Sequence, residues 1–246
     1  MLNYELDGSG PPLVLIHGFG ISFNIWRELR PYLRDHFTLI LTEMPGIGRS
    51  PASDGAMPYL DCAVEELDSL RATLGFERWT VFAYSSGTRV AEQYLQCHYE
   101  HVERAVFLCP AQTAWYKALS FSAALRLDQA LPSLGNWILS GPRIRFLINL
   151  LGLNFRHREL LTPWFDEITS QPVDVLKATL RSLPEGGART FYLPSLPSLF
   201  IWGSQDRIMD HPRRLSARDR LICANHSAPQ TAAQEVVGAV LPFLQS

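Results

Sequence analysis

Short, fully apolar runs alternate along this chain with longer stretches whose apolar residues recur every three or four positions. The runs are LVLIHG (13–18), FTLILTEMPGIG (37–48), WTVFAY (79–84) and RAVFLCP (104–110), then PSLFIWGSQD (197–206) and RLICANH (220–226). Strands this apolar on both faces predict a parallel sheet covered by helices on both sides. The stretch 59–76 places Leu60, Ala63, Val64, Leu67, Leu70 and Leu74 at helical spacing and stops at Gly75. Further helices are predicted over 87–99, 172–183 and 231–244.

The rhythm breaks after Pro110. Residues 112–170 hold no strand candidate and read as short helices punctuated by Pro132, Gly135, Gly141, Pro142, Gly152 and Pro163. The expected organisation is an α/β core over 1–111 and 171–246, with a helical insertion over 112–170.

Composition narrows the class. Of the 246 residues, 47% are apolar and 19% charged, enough for a large buried core. A formal net charge of −2 offers no basic face for nucleic acid. No apolar run reaches the ~20 residues that a transmembrane segment needs. The opening MLNYELDGSG has neither a basic flank nor an apolar core of the secretory kind. Cys62, Cys97, Cys109 and Cys223 form no C-x-x-C pair, and Cys109 ends an apolar run as a buried thiol would. A reduced, cytoplasmic protein is expected.

The stretch FAYSSGTRVA (82–91) joins a strand to a helix through two adjacent serines. A serine hydroxyl attacks well only beside a base, and it clears the backbone only on a sharp turn. That turn crowds the positions two before and two after the nucleophile, so both must be small. Ser85 meets this with Ala83 and Gly87; Ser86 would put Tyr84 in a crowded place.

With HGFG (17–20), MPGIGRS (44–50), LFIWGSQDRIMD (199–210) and ANHSAPQ (224–230) in this order, the chain resembles a compact, cap-bearing α/β-hydrolase. The resemblance spans residues 3–244 apart from the insertion. It implies a mostly parallel, doubly wound sheet lacking the family's first strand. It further implies Ser85 as nucleophile, His226 as base and Asp206 as the acid that orients it. The backbone N–H groups of Phe19 and Ser86 would form the oxyanion hole, with His17 ordering its loop. No metal or organic cofactor is required. Glu43 stands where the family usually has Asp, and Ala83 where it usually has Gly. Only twenty positions separate Asp206 from His226, so the crossover helix expected over 210–219 has room for a turn or two.

Bland readings stand beside these. Ser86 suits a helix cap, Asp206 a turn, and His98 and His101 polar residues at a helix end. Asp206, Asp210 and His211 lack a metal-ligand spacing. In the insertion, Trp115, Trp137 and Trp164 are candidates to line an apolar pocket, among aromatic residues most of which pack the insertion itself. Tyr84, beside the nucleophile, could offer its hydroxyl to substrate. Arg143, Arg145, Arg156 and Arg158 read as a solvated face, or as a holder of an anionic substrate or lipid. The expected function is hydrolysis of a small carboxylic ester, thioester or lactone with apolar parts. The alternatives are a carbon–carbon bond hydrolase or lyase on the same triad, and a non-catalytic ligand-binding protein. The expected partner is a small molecule; monomer and homodimer stay open.

Overall fold

A computed structural model describes residues 1–53, 55–112, 115–146, 158–183 and 196–246. Its sheet has seven strands in the order β1-β3-β2-β4-β5-β6-β7. They are β1 (Tyr4–Asp7), β2 (Pro12–Ile16), β3 (Thr38–Thr42), β4 (Trp79–Tyr84), β5 (Val102–Leu108), β6 (Ser198–Gly203) and β7 (Asp219–Ile222). All pair in parallel except β1, which runs antiparallel to β3 at one edge. Among the described residues no strand lies outside β1.

Alternate side chains of each strand enter different cores, which is why the runs are apolar without a break. Leu13, Leu15, Phe82, Val106 and Ile201 face one side, where Trp26, Leu29, Val236 and Val240 cover them. Val14, Ile16, Val81, Ala105 and Phe107 face the other. There the helices α2 (Tyr59–Thr73) and α3 (Gly87–Cys97) bring Leu60, Val64, Leu67, Val90 and Tyr94. Five of the six apolar positions predicted to line helix 59–76 are buried, and Leu74 is partly so.

Strand order places the functional crevice. The chain leaves β2 toward one face, through the turn Phe23–Trp26 and helix α1 (Arg30–Leu33), and returns as β3 on one side of β2. It leaves β4, on the other side of β2, toward the opposite face through α3. The loops after β2 and β4 therefore diverge at the carboxyl ends of adjacent strands, where open α/β sheets bind ligands.

Between β5 and β6 the described residues form only helices, including α4 (Trp115–Ala130), α5 (Pro132–Leu139) and α6 (Arg158–Ser170). The last buries Leu161, Trp164, Phe165 and Ile168 in the same cluster as Trp26 and Phe82. Helix α7 (Val173–Ser182) follows, and α8 (Ala228–Thr231) and α9 (Ala233–Leu244) close the described chain.

Two elements differ from expectation. The residues YELD form β1, although they carry no apolar run; an edge strand of four residues, none fully buried, needs none. The helix expected within 210–219 is absent, and residues 204–218 form an irregular loop. Carboxylates hold that loop instead. Asp219 accepts bonds from Ser216 N–H (2.8 Å) and from the Trp202 indole N–H (2.7 Å). The Asp210 N–H donates to the Gln112 carbonyl, and its carboxylate pairs with Lys117 at 2.8 Å.

Phe82 is fully buried with its ring 4.9 Å from that of Trp26. Phe82→Ala is expected to lower unfolding free energy by about 3–5 kcal/mol, read as a reduced urea midpoint.

Candidate active site

Ser85 follows β4 with φ 52°, in the left-handed region that non-glycine residues rarely adopt. Its neighbours hold it there. The Ser85 N–H donates to the Leu108 carbonyl at 3.0 Å, and its carbonyl accepts from the Thr88 hydroxyl at 2.6 Å. Thr88 Oγ1 in turn accepts from Ala111 N–H at 3.0 Å, tying the turn to the exit of β5. A Cβ on Gly87 would stand 2.2 Å from the His17 carbonyl, so only glycine lets α3 start this close to the loop after β2.

Three sequence-distant groups meet at this turn. Ser85 Oγ lies 2.8 Å from His226 Nε2, and His226 Nδ1 lies 2.7 Å from Asp206 Oδ2. Nδ1 faces a carboxylate and therefore carries the proton, leaving Nε2 to accept the serine proton. Asp206 Oδ1 accepts from the N–H groups of Ile208 and Met209, each at 2.9 Å. Burial pushes the Asp206 carboxyl upward, but His226 and these two amides outweigh it and hold the group below the ordinary carboxylate range. The irregular crossover thus folds around Asp206, whose carboxylate closes its first turn. Gly203, at the end of β6, admits the histidine loop: a Cβ there would meet the Ala224 carbonyl at 2.5 Å.

The opposite wall is the loop after β2. His17 Nδ1–H donates to the Gly18 carbonyl and His17 Nε2 accepts from Met44 N–H, both at 2.8 Å. The ring therefore joins the loop after β2 to the loop after β3. Glu43 braces the second loop, accepting from Asn3 Nδ2 and Arg49 N–H at 2.7 Å each. Gly18 approaches closely enough that a Cβ would lie 3.1 Å from that of Ser85. Phe19 follows in the same loop and packs partly buried on the core, while Ser86 starts α3. Among the described residues, no protein group accepts a hydrogen bond from the N–H of Phe19 or Ser86. The Ser86 side chain makes no capping bond, contrary to the cap reading.

The remaining candidates divide. Tyr84 does not offer its hydroxyl to the crevice: it donates to the His226 carbonyl at 2.7 Å, with the ring 5.5 Å from the imidazole. Burial keeps that phenol well above its usual range and so protonated. Trp164 is buried beneath Arg27, whose guanidinium lies 5.8 Å from the ring centre. Trp137 is 57% exposed, with Arg143 at 4.5 Å over its ring. The side chain of Trp115 lies outside the described residues, as do Arg156 and the side chain of Arg158. Arg143 also bonds Ser140 (2.9 Å) and Arg145 pairs with Asp166 (2.9 Å), so both arginines have partners within the chain. His98 and His101 stack at 5.8 Å beside Asp68, remote in the fold from Ser85. Thr88, Gly203 and the bracing role of Tyr84 have no counterpart among the sequence expectations; a hydroxyl residue three after Ser85 is the one available signal.

With this geometry in view, the comparisons with known proteins are direct. Residues 11–138 match the family model described as alpha/beta hydrolase fold, and the chain belongs to that family. It is 25% identical over 217 residues to a pimeloyl-(acyl-carrier protein) methyl ester esterase of Aeromonas hydrophila, covering 85% of this chain and 82% of that one. It is 30% identical over 105 residues to a fluoroacetate dehalogenase of a Burkholderia species, but the match spans only 41% of this chain and 34% of the dehalogenase. A thermophilic esterase from Thermogutta terrifontis superposes with a TM-score of 0.79 at 21% identity, covering 99% of this chain and 93% of that one. The matches to the dehalogenase and to a second pimeloyl-(acyl-carrier protein) methyl ester esterase, of Legionella pneumophila, span only about a third and a quarter of those proteins' own lengths. None of this chain's described helices is long and apolar enough to cross a membrane.

Burial of His17 yields a stability prediction. Desolvation pushes its pKa down to about 4, so the folded ring stays neutral where the unfolded one charges. Its contribution is complete above the unfolded pKa of about 6.5 and is lost as pH falls toward 4, by about 3 kcal/mol. His17→Gln, which keeps one donor and one acceptor, is expected to flatten the stability profile across that window. Chemical denaturation at stepped pH reads it; an unchanged slope would contradict the assignment.

Proposed function

We propose that this chain is a serine hydrolase that cleaves a small apolar carboxylic ester, thioester or lactone through an acyl-enzyme on Ser85. The observation that carries the reading is the continuous hydrogen-bonded line from Ser85 Oγ through His226 to Asp206, 2.8 and 2.7 Å long in its two links.

The roles follow from that line. His226 Nε2 accepts the Ser85 proton as Oγ attacks the acyl carbon. Asp206 fixes the ring's tautomer and supports the positive charge that forms on it. The N–H groups of Phe19 and Ser86 receive the developing oxyanion; such donors typically contribute ~3–4 kcal/mol each. His226 then passes its proton to the leaving group. Water, deprotonated by the same nitrogen, releases the acid and restores Ser85. The described helices α4, α5 and α6 are read as the cap beside this crevice.

A serine nucleophile also favours acyl transfer over displacement at an alkyl carbon. The first leaves an ester that activated water opens; the second would leave an alkyl ether, which this machinery has no means to hydrolyse. The reading therefore follows the esterase relatives rather than the dehalogenase.

A series of p-nitrophenyl esters from acetate to octanoate tests it. Turnover with an initial burst of p-nitrophenol is expected on the shorter chains. Ser85→Ala is expected to lower kcat by about 10³-fold or more, and Asp206→Asn by a comparable order, with folding retained. Ester turnover that survives in Ser85→Ala overturns the proposal.

A further inference from the structure

Where α3 ends and β5 begins, at the end of the sheet away from Ser85, two histidines meet one carboxylate. His98 follows α3, and the tight turn Tyr99–His101 leads into β5. The His101 N–H donates to the His98 carbonyl at 3.0 Å, which closes the turn. Side chains three apart eclipse in such a turn. The two rings accordingly stack, 5.8 Å apart and 10° from parallel. Asp68 meets them from α2, with Oδ1 3.0 Å from His101 Nδ1.

This cluster is more than a solvated helix end. One ligand-type atom from each of Asp68, His98 and His101 lies within 4.8 Å of the other two. The carboxylate is held in place, because Arg71 Nε–H and the Tyr94 hydroxyl donate to Oδ1 at 2.8 Å each. Burial pushes the Asp68 carboxyl upward, but the bonds from Arg71, Tyr94 and His101 outweigh it and keep the group ionised. His98 Nε2 is buried and, among the described residues, has no hydrogen-bond partner. Buried ring nitrogens ordinarily find a partner, and a solvated one would lie in water. This nitrogen is therefore open to a ligand that the chain does not itself supply.

We infer that Asp68, His98 and His101 form a binding site for a divalent transition-metal ion of the zinc class, which staples α2 and the end of α3 to the start of β5. Mixed imidazole and carboxylate donors suit Zn²⁺, Ni²⁺ or Co²⁺ rather than Mg²⁺ or Ca²⁺, which take oxygen ligands. The ion replaces the proton shared by His101 Nδ1 and Asp68 Oδ1, and that proton leaves to solvent. Two atoms 3.0 Å apart both reach an ion at the ~2.0–2.2 Å of zinc bonds to nitrogen and oxygen. His98 Nε2 is the third ligand, and water completes the shell. The side chains of His101 and Asp68 are 28% and 20% exposed, so an ion can enter. Arg71, itself anchored on the Phe76 and Glu77 carbonyls, supports the ligating carboxylate from behind. Its positive charge also opposes the ion, so the expected Kd is on the order of micromolar rather than nanomolar.

The test strips the full chain with EDTA and titrates it with ZnCl₂ by calorimetry, with melting temperatures alongside. Cys109, Asp206 and His226 form a second grouping within 4.8 Å, so His226→Ala serves as the control for binding there. One ion per chain is expected, with the melting temperature raised by about 5 °C at a hundredfold excess over Kd, in the unmutated chain and in His226→Ala alike. His98→Ala and His101→Ala are each expected to weaken binding about tenfold or more. His98→Phe, which keeps a ring against Tyr94 and removes the nitrogen, is expected to do the same with the fold retained. Cu²⁺ bound to the unmutated chain is expected to show two imidazole nitrogens by electron paramagnetic resonance. Absence of binding at roughly 1 mM ZnCl₂ overturns the inference. So does an affinity unchanged in the His98 and His101 variants, or one lost in His226→Ala, or a copper signal with fewer than two imidazoles.

Discussion

A backbone turn that most side chains avoid governs this structure. Ser85 sits at φ 52° at the end of a buried strand, and this conformation lifts its hydroxyl out of the sheet toward the loops. The turn persists because its surroundings over-determine it. One bond runs to Leu108 on the neighbouring strand, another from Thr88 on the helix it starts, and Thr88 is itself fixed by Ala111. The same tightness demands Gly87 beneath it, where any Cβ would strike the His17 carbonyl. The position of Ser85 and the position of the loop after β2 are thus one constraint seen from two sides.

Everything else at the site meets that fixed point. The divergence of the loops after β2 and β4 opens the crevice, and His17 pins the first of them to Met44. From the other side, β6 and β7 deliver Asp206 and His226 through loops that Gly203 lets pass within van der Waals range. Tyr84, adjacent to Ser85, reaches across to the His226 carbonyl. The residue beside Ser85 therefore also fixes the loop that carries His226.

Much of this was legible in the sequence, for identifiable reasons. Strands buried on both faces have to be apolar throughout, so WTVFAY and RAVFLCP announce themselves. The small residues flanking Ser85 report the crowding of its turn, and the order of Ser85, Asp206 and His226 anticipates the meeting that the coordinates show. The misses have reasons of the same kind. YELD is an edge strand, for which burial leaves no signature. The helix expected in 210–219 gives way to side chains of Asp206, Asp210 and Asp219, which satisfy the crossover in place of a helical ladder. Tyr84 braces the histidine loop through a tertiary contact with a residue 142 positions away, which no local pattern encodes.

The central proposal is that Ser85 is the activated nucleophile and that His226 activates it. A fluorophosphonate probe followed by peptide mapping tests this directly, because only an activated serine is phosphonylated at an appreciable rate. A single adduct on Ser85, formed in the native protein and suppressed in His226→Ala, is the predicted result. An adduct on Ser86 instead, or labelling of Ser85 indifferent to the loss of His226, would contradict the account.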